Sequence, residues 1–98
     1  PLSLKNTSNT PSSFKLHPTY PNPFNPTAMI QFTLPKASQV KIRIFSLNGR
    51  QVLSKSLGDK TIGFHEFQIS PNGWAAGTYL IKVEALGSIQ TQRITYLK

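Results

Sequence analysis

Residues 40–49 read Val-Lys-Ile-Arg-Ile-Phe-Ser-Leu-Asn-Gly. The apolar side chains of Val40, Ile42 and Ile44 alternate with cationic ones, which is the period-two pattern of a strand with one buried face. An Asn-Gly pair shortly after such a strand is a strong hairpin signal, because both central residues of a type I′ turn need positive φ. The stretch therefore predicts an antiparallel hairpin with a type I′ turn at Asn48-Gly49.

The same alternation continues on both sides of this hairpin. We expect strands over residues 28–34, 51–57, 64–69, 79–85 and 88–97, with turns at Gly58-Asp59-Lys60 and at Gly87. The side chains predicted to point inward are Ala28, Ile30, Phe32 and Leu34; Phe67 and Ile69; Tyr79, Ile81, Val83 and Ala85; and Ile94 and Tyr96. No segment has the spacing of an amphipathic helix. Six or seven short strands predict an all-β fold, an antiparallel β-sandwich.

Length and composition indicate one small domain. Residues 1–13 contain Asn, Thr, Ser and Pro with little apolar content, which predicts a flexible linker from an upstream domain, and residues 14–98 form the expected sandwich. The chain starts at Pro1 without a charged and apolar leader, so we expect a piece of a larger protein. It has no cysteine, which excludes disulfides and thiolate metal sites, and no apolar run long enough for a transmembrane segment.

Charge is strongly unbalanced, with eleven Lys and Arg residues against three acidic residues. The cations are scattered along the chain, and the nearest approach to a stripe is Lys41 and Arg43, followed on the same predicted face by Phe45. Such residues are mostly solvated positions that keep sheet edges soluble. A cationic binding face is the alternative, and we expect no nucleic acid as a partner because no continuous basic run exists.

The few chemically active side chains are badly placed for catalysis. Glu66 and Glu84 fall at outward positions in different predicted hairpins, so they do not form the carboxylate pair of a glycosidase. His17 and His65 have no carboxylate in position to orient them. The glycines are dispersed at turns and form no phosphate-binding loop. We therefore predict no enzyme activity and no catalytic, metal or cofactor site within this chain.

A proline-rich block, Tyr-Pro-Asn-Pro-Phe-Asn-Pro-Thr, occupies residues 20–27. Each proline fixes its own φ and pushes the preceding residue toward extended conformations, which predicts a stiff, non-helical segment. Phe24 is too large and apolar to remain in water, so we expect it to close the open end of the sandwich. A rigid segment of this kind also presents a shaped surface that a partner can recognise.

The block and several shorter motifs resemble the type A C-terminal sorting domain of cargo proteins of the bacterial type IX (Por) secretion system. The resemblance begins near Phe14 and ends at Lys98. It includes the lead-in Phe14-Lys15-Leu16, Leu34-Pro35, Ile44-Phe45, Leu47-Asn48-Gly49-Arg50 and Ala76-Gly77-Thr78-Tyr79. This chain has Thr19 where the family commonly has asparagine, Ala28-Met29 in place of a threonine-rich pair, and Trp74 where leucine is common.

The resemblance implies an immunoglobulin-like sandwich of about seven strands that acts as a sorting signal for a larger secreted cargo. The implied partners are the outer-membrane translocon and its shuttle protein, a sortase that cuts within residues 1–13, and anionic lipopolysaccharide at the cell surface. The implied route leads through the periplasm of a Gram-negative bacterium to a secreted or cell-surface location, and no cofactor is implied. The implied recognition residues are Tyr20, Pro21, Asn22, Pro23, Phe24, Asn25, Pro26, Gly49, Arg50, Gly77, Tyr79 and Lys98.

Each of these residues also has a purely structural interpretation. Gly49 supplies positive φ in a turn, and Tyr79 is an inward aromatic residue whose hydroxyl needs a partner. Arg50 is harder to explain by folding alone and is a candidate contact residue. Two other functions remain open, a spacer domain and a carbohydrate-binding module of a secreted hydrolase that uses Trp74, Tyr20 or Phe45. An exposed Trp74 would favour carbohydrate binding, but we expect this residue to be a core or rim anchor.

Overall fold

The computed structural model describes residues 14–98, and the predicted linker of residues 1–13 lies outside the described residues. The strands are β1 (Lys15–Leu16), β2 (Ala28–Leu34), β3 (Ser38–Ser46), β4 (Gln51–Lys60), β5 (Gly63–Ile69), β6 (Gly77–Ala85) and β7 (Ser88–Tyr96). They form a three-stranded sheet in the order β1-β2-β5 and a four-stranded sheet in the order β4-β3-β6-β7. All pairings within the sheets are antiparallel. The predicted all-β sandwich of about seven strands is confirmed.

The core lies between the two sheets and is built by the predicted alternation. In β2, β3 and β6 the inward residues are buried and their neighbours are more exposed. Ile30, Phe32, Ile42, Ile44 and Ile81 are completely inaccessible to solvent. Ile69 and Ile94 are buried as predicted, while Phe67 and Tyr96 pack against the core at its margin. The period-two pattern therefore identified the buried faces correctly.

The hairpin between β3 and β4 is confirmed, but the predicted type I′ turn is wrong. The Ser46 N–H donates to the Arg50 carbonyl at 2.8 Å, so the loop has three residues, and Gly49 has a φ of 89° while Asn48 does not have positive φ. The Asn48 carboxamide oxygen accepts hydrogen bonds from the Ser46 hydroxyl and, at 3.2 Å, from the Arg50 N–H. Asparagine therefore holds the loop with its side chain instead of entering the left-handed region.

A two-residue turn with positive φ at both central positions occurs elsewhere, at Leu86-Gly87. Their φ values are 53° and 74°, and they directly join the paired residues Ala85 and Ser88. This combination is the geometry of a type I′ turn. The sequence prediction placed a break at Gly87 correctly but did not identify the turn type, because leucine rarely adopts positive φ.

The predicted turn at Gly58-Asp59-Lys60 is also wrong, because β4 continues through all three residues. Val40 pairs with Gly58 and Lys41 pairs with Ser56, which leaves Leu57 as an extra residue in the ladder. Gly58 has a φ of 73° and supplies the backbone conformation that this β-bulge needs. The chain leaves the four-stranded sheet only after Lys60 and enters the three-stranded sheet at Gly63.

Candidate functional site

The proline-rich block crosses one end of the sandwich and joins the two sheets. Tyr20 and Met29 exchange backbone hydrogen bonds of 3.1 and 2.7 Å, which attach the start of the block to β2. The Phe24 N–H donates to the Thr95 carbonyl and the Leu97 N–H donates to the Phe24 carbonyl, both at 2.9 Å, which attaches the middle of the block to β7. The block is thus held by backbone pairing on both sides, as an ordered and non-helical segment.

Side chains of the block divide into one buried anchor and an exposed surface. Phe24 is 1% exposed, and its ring centroid lies 5.1 Å from that of Tyr96, which confirms that it fills the end of the sandwich. Tyr20 is 70% exposed. The remaining exposed side chains of the block are Pro21, Asn22, Pro23, Asn25 and Pro26. The peptide bonds before the three prolines are cis.

Asn22 fixes the block further, through side-chain hydrogen bonds to β7. Its carboxamide oxygen accepts from the Thr95 N–H at 3.0 Å, and its amide donates to the Arg93 carbonyl at 3.4 Å. The backbone that Asn22 binds therefore belongs to the last strand and not to the block itself.

The segment that leads into the block is attached by two glutamines of β7. The Gln92 carboxamide oxygen accepts from the Thr19 N–H at 2.6 Å, and its amide donates to the His17 carbonyl at 2.9 Å. Gln90 accepts in the same way from the Leu16 N–H at 2.9 Å. These side-chain hydrogen bonds take the place of a backbone ladder between the segment and β7. They fix the position of the segment against β7, directly before the proline-rich block.

Sequence reasoning missed these glutamines, although a signal was present. Gln90 and Gln92 share the side of β7 that carries Ile94 and Tyr96, where polar residues interrupt an inward pattern. Buried polar groups need hydrogen-bond partners, so an inward glutamine pair predicts backbone close by. Thr19 is 5% exposed and its hydroxyl donates to Gln92. Thr19, which stands where the family commonly has asparagine, is therefore a buried structural residue and not part of the exposed surface.

Gly77, Tyr79 and Trp74 lie at the same end of the sandwich as the block. The Tyr79 hydroxyl donates to the Ala75 carbonyl at 2.5 Å, which is the partner that its burial requires. The Trp74 ring lies 4.8 Å from the Tyr79 ring and 6.4 Å from the Tyr96 ring. Because Tyr96 also contacts Phe24, a continuous aromatic cluster of Phe24, Tyr96, Trp74 and Tyr79 joins the block to the start of β6.

Trp74 is 8% exposed, which confirms it as a core and rim anchor. Stacking on a sugar requires an accessible indole face, and this ring is buried against Tyr79 and Tyr96. Tyr20 and Phe45, the other aromatic residues considered for polysaccharide binding, pair with Met29 and Leu80 and are not part of the aromatic cluster. The structure therefore provides no aromatic platform at Trp74 for a carbohydrate.

Gly49 and Arg50 lie at this end too, at the loop between β3 and β4. A groove of about 420 Å³ separates the β3–β4 loop from the loop that carries Trp74. Arg50 is exposed and lines the groove together with Asn48, Asn72 and Tyr79. The groove offers one guanidinium and several amide groups, which suits hydrogen bonding to carboxylates or peptide groups.

Lys98 is brought next to the block by the pairing of the final residues. It is exposed and directly follows Leu97, whose N–H is bonded to Phe24. The residues predicted for recognition thus share one end of the molecule, where β3 ends, β6 begins and β7 ends. The structure also separates them by role, because Phe24 and Tyr79 are buried while Tyr20, Arg50 and Lys98 are accessible.

The side chains that could support catalysis remain apart in the described residues. The His17 Nε2 pairs with the Thr33 hydroxyl and the His65 Nε2 with the Thr61 carbonyl, each at 2.7 Å. Across residues 14–98 no group of three His, Cys, Asp or Glu side chains could hold a metal ion. In the same residues no helix has the length and apolar character needed to span a membrane.

Comparison with known protein families identifies one match. The model of the family described as "Secretion system C-terminal sorting domain" matches residues 18–96. The matched range begins just before the proline-rich block and ends at the last residue of β7. It therefore contains both the block and the strand to which the block is attached. No curated protein and no solved structure matches the chain.

Proposed function

Since the chain belongs to the family of secretion system C-terminal sorting domains, we propose that it directs a larger cargo protein across the bacterial outer membrane through the type IX secretion system. Membership supports a role as a C-terminal sorting signal and a contact with the type IX secretion machinery. It also implies a secreted or cell-surface protein of the Bacteroidetes. Domains of this kind are generally non-catalytic, and the proposal assigns any enzymatic activity to the cargo.

The family match over residues 18–96 carries this proposal. We further propose that recognition uses one surface, the recognition end, which we define as Tyr20–Pro26 together with Arg50 and Lys98. The exposed side chains of the block belong to a segment that is held by the buried Phe24 and by backbone hydrogen bonds to both sheets. A surface that is ordered before binding loses little conformational entropy in the complex, which favours affinity.

In the proposed sequence of events the outer-membrane translocon and its shuttle protein bind the recognition end after passage through the periplasm. A sortase then cuts within residues 1–13, and the released cargo stays soluble or is attached to anionic lipopolysaccharide. Arg50 and Lys98 give the recognition end two cations, which suits acidic or carbonyl-rich partner surfaces.

Transplantation tests the proposal. Residues 1–98 are fused behind an inert reporter that carries an inner-membrane export leader, in a bacterium with a type IX system. We expect the reporter in the medium or on the cell surface, and in the periplasm when the same host lacks the translocon. A folded fusion that stays in the periplasm of the intact host would contradict the sorting function.

A pair of matched variants tests the recognition end itself. Tyr20→Ala removes an exposed aromatic side chain from the block, and Ile62→Ala removes a similarly exposed apolar side chain, 67% accessible, from the loop between β4 and β5. Both proteins should keep the thermal stability of the parent. Export should fall several-fold for Tyr20→Ala and remain unchanged for Ile62→Ala. Equal export by both variants would place recognition elsewhere on the domain.

The carbohydrate-binding alternative has less support because Trp74 is buried. It predicts retention of the domain on insoluble glycan, with loss of retention in Trp74→Ala. The spacer alternative predicts that deletion of residues 14–98 leaves export intact and changes only the stability of the cargo. The transplantation assay separates both alternatives from the sorting function.

A further inference from the structure

The outer side of the four-stranded sheet carries a cationic surface, which reaches the recognition end at Arg93. We define the cationic face as Lys41, Arg43 and Phe45 of β3, Leu80 and Lys82 of β6, and Arg93 of β7. Each of these residues alternates with a buried residue of its strand, so its side chain lies on the outer side of the sheet. Arg43 stands opposite Lys82, and Leu80 stands between Phe45 and Arg93 in adjacent strands. The sequence showed only the part on β3, because the other members are brought in by strand pairing.

Folding gains little from this arrangement. Two cations directly opposite each other on neighbouring strands destabilise a sheet. Glu84 stands opposite Lys41 and lies 3.6 Å from Arg43, so it partly compensates both cations, but the Arg43 and Glu84 side chains are over one-third exposed, and such pairs contribute little. The Lys82 ammonium lies 5.2 Å from the centre of the Phe45 ring, an exposed cation–π contact that is also weak.

Positive charge is also concentrated on this side of the sandwich. The cationic face has four cations, and the carboxylates on the same outer side of the four-stranded sheet are Glu84 of β6 and Asp59 of β4, which pairs with the outward Gln39. The outer side of the three-stranded sheet has one cation, Lys15, and one carboxylate, Glu66. The outer side of the four-stranded sheet thus has the larger excess of positive charge, and burial of the core does not require it.

We propose that the cationic face is a second docking surface, which binds an acidic surface of a partner protein. Phe45 and Leu80 supply a half-buried apolar centre, and the arginines and lysines surround it. Aromatic residues and arginine are enriched in protein interfaces, which combine an apolar centre with a polar rim. Glu84 interrupts the cations beside Arg43, so the face is less suited to a continuous polyanion than to carboxylates at separate positions.

The dimensions of the face indicate a weak contact. Five residues along a strand and three adjacent strands cover about 13 Å by 10 Å of backbone. The corresponding area of about 130 Å² is well below the roughly 800 Å² that each partner contributes to a stable complex. We therefore expect transient binding that weakens as salt increases.

Binding to defined probes tests the inference with the full chain of 98 residues and does not require export, so its outcome is independent of the proposed function. The main probe is a soluble peptide with glutamates on both sides of one leucine. Polyglutamate, phosphatidylglycerol vesicles and inorganic phosphate serve as comparison probes. Amide chemical shifts of the isotope-labelled chain report which strands respond.

The critical comparison uses two double variants with equal loss of charge. Lys82→Gln/Arg93→Gln alters the cationic face, and Lys15→Gln/Lys36→Gln alters exposed lysines outside it. We expect the peptide to shift β3, β6 and β7 amides, with about tenfold weaker binding for the first variant and less than twofold for the second.

Three results would overturn the inference. Equal losses in the two variants would mean that net charge alone attracts the peptide. Binding of vesicles or phosphate without binding of the peptide would mean that the face takes a lipid headgroup or a free anion. Peptide-induced shifts confined to other strands would mean that the docking surface lies elsewhere.

Discussion

Replacement of Phe24 by alanine should separate the structural role of the proline-rich block from its exposed surface. Phe24 is 1% exposed and contacts Tyr96, while its two backbone hydrogen bonds to β7 do not depend on the side chain. Phe→Ala substitutions in cores cost about 3–5 kcal/mol. Since Phe24 lies at the end of the sandwich and not at its centre, we expect the lower limit, about 3 kcal/mol. For a domain of this size the loss corresponds to a melting temperature lower by roughly 12–24 °C.

Urea denaturation measures this change directly. Unfolding can be followed by the fluorescence of Trp74, the only tryptophan in the chain, and by circular dichroism as a second probe. Phe24→Leu keeps most of the apolar volume and should recover more than half of the loss. Tyr20→Ala, in the same block but 70% exposed, should change the free energy of unfolding by less than about 0.5 kcal/mol. The reasoning would be refuted if Phe24→Ala and Tyr20→Ala destabilised the domain equally.

Three further predictions concern the framework of the recognition end. Tyr79→Phe removes the hydroxyl that donates to Ala75 and should cost about 1 kcal/mol of unfolding free energy in the same denaturation assay. Gln92→Leu leaves backbone groups of the preceding segment without partners; we expect a loss of about 2 kcal/mol and faster hydrogen exchange at the Thr19 amide, and unchanged exchange there would contradict the proposed attachment. Gly49→Ala meets no neighbouring atom but forces alanine to a φ of 89°, so a cost of about 1 kcal/mol in thermal melts is expected, and no cost would mean that the loop relaxes.

Local sequence determined the strands, their buried faces and the main anchors. The alternation of β2, β3 and β6 predicted the inward residues because neighbouring side chains of a strand point to opposite sides of the sheet. The burial of Phe24 followed from its size and apolar character within a segment that cannot form a helix. The family resemblance carried by the motifs agrees with the match over residues 18–96.

Turns were less predictable because alternative hydrogen bonds compete with intrinsic preference. Asn48 has the residue type of a type I′ turn, yet its side chain bonds to the flanking backbone and the loop has another form. Leu86 has no intrinsic preference for positive φ, yet it adopts a φ of 53° between paired strands. In both cases the ladder on either side fixes the loop, and the loop residues adapt to it.

By itself, the sequence determined an all-β sandwich whose faces, anchors and family can be read from residues close together in the chain. Tertiary structure alone decided that Gln90 and Gln92 hold the segment before the block, that Trp74 is covered by Tyr79 and Tyr96, and that Lys82 and Arg93 join Arg43 on one face. The physical reason is that these contacts join residues distant along the chain. Their geometry is set by which strands pair and in what register, and a local pattern contains neither.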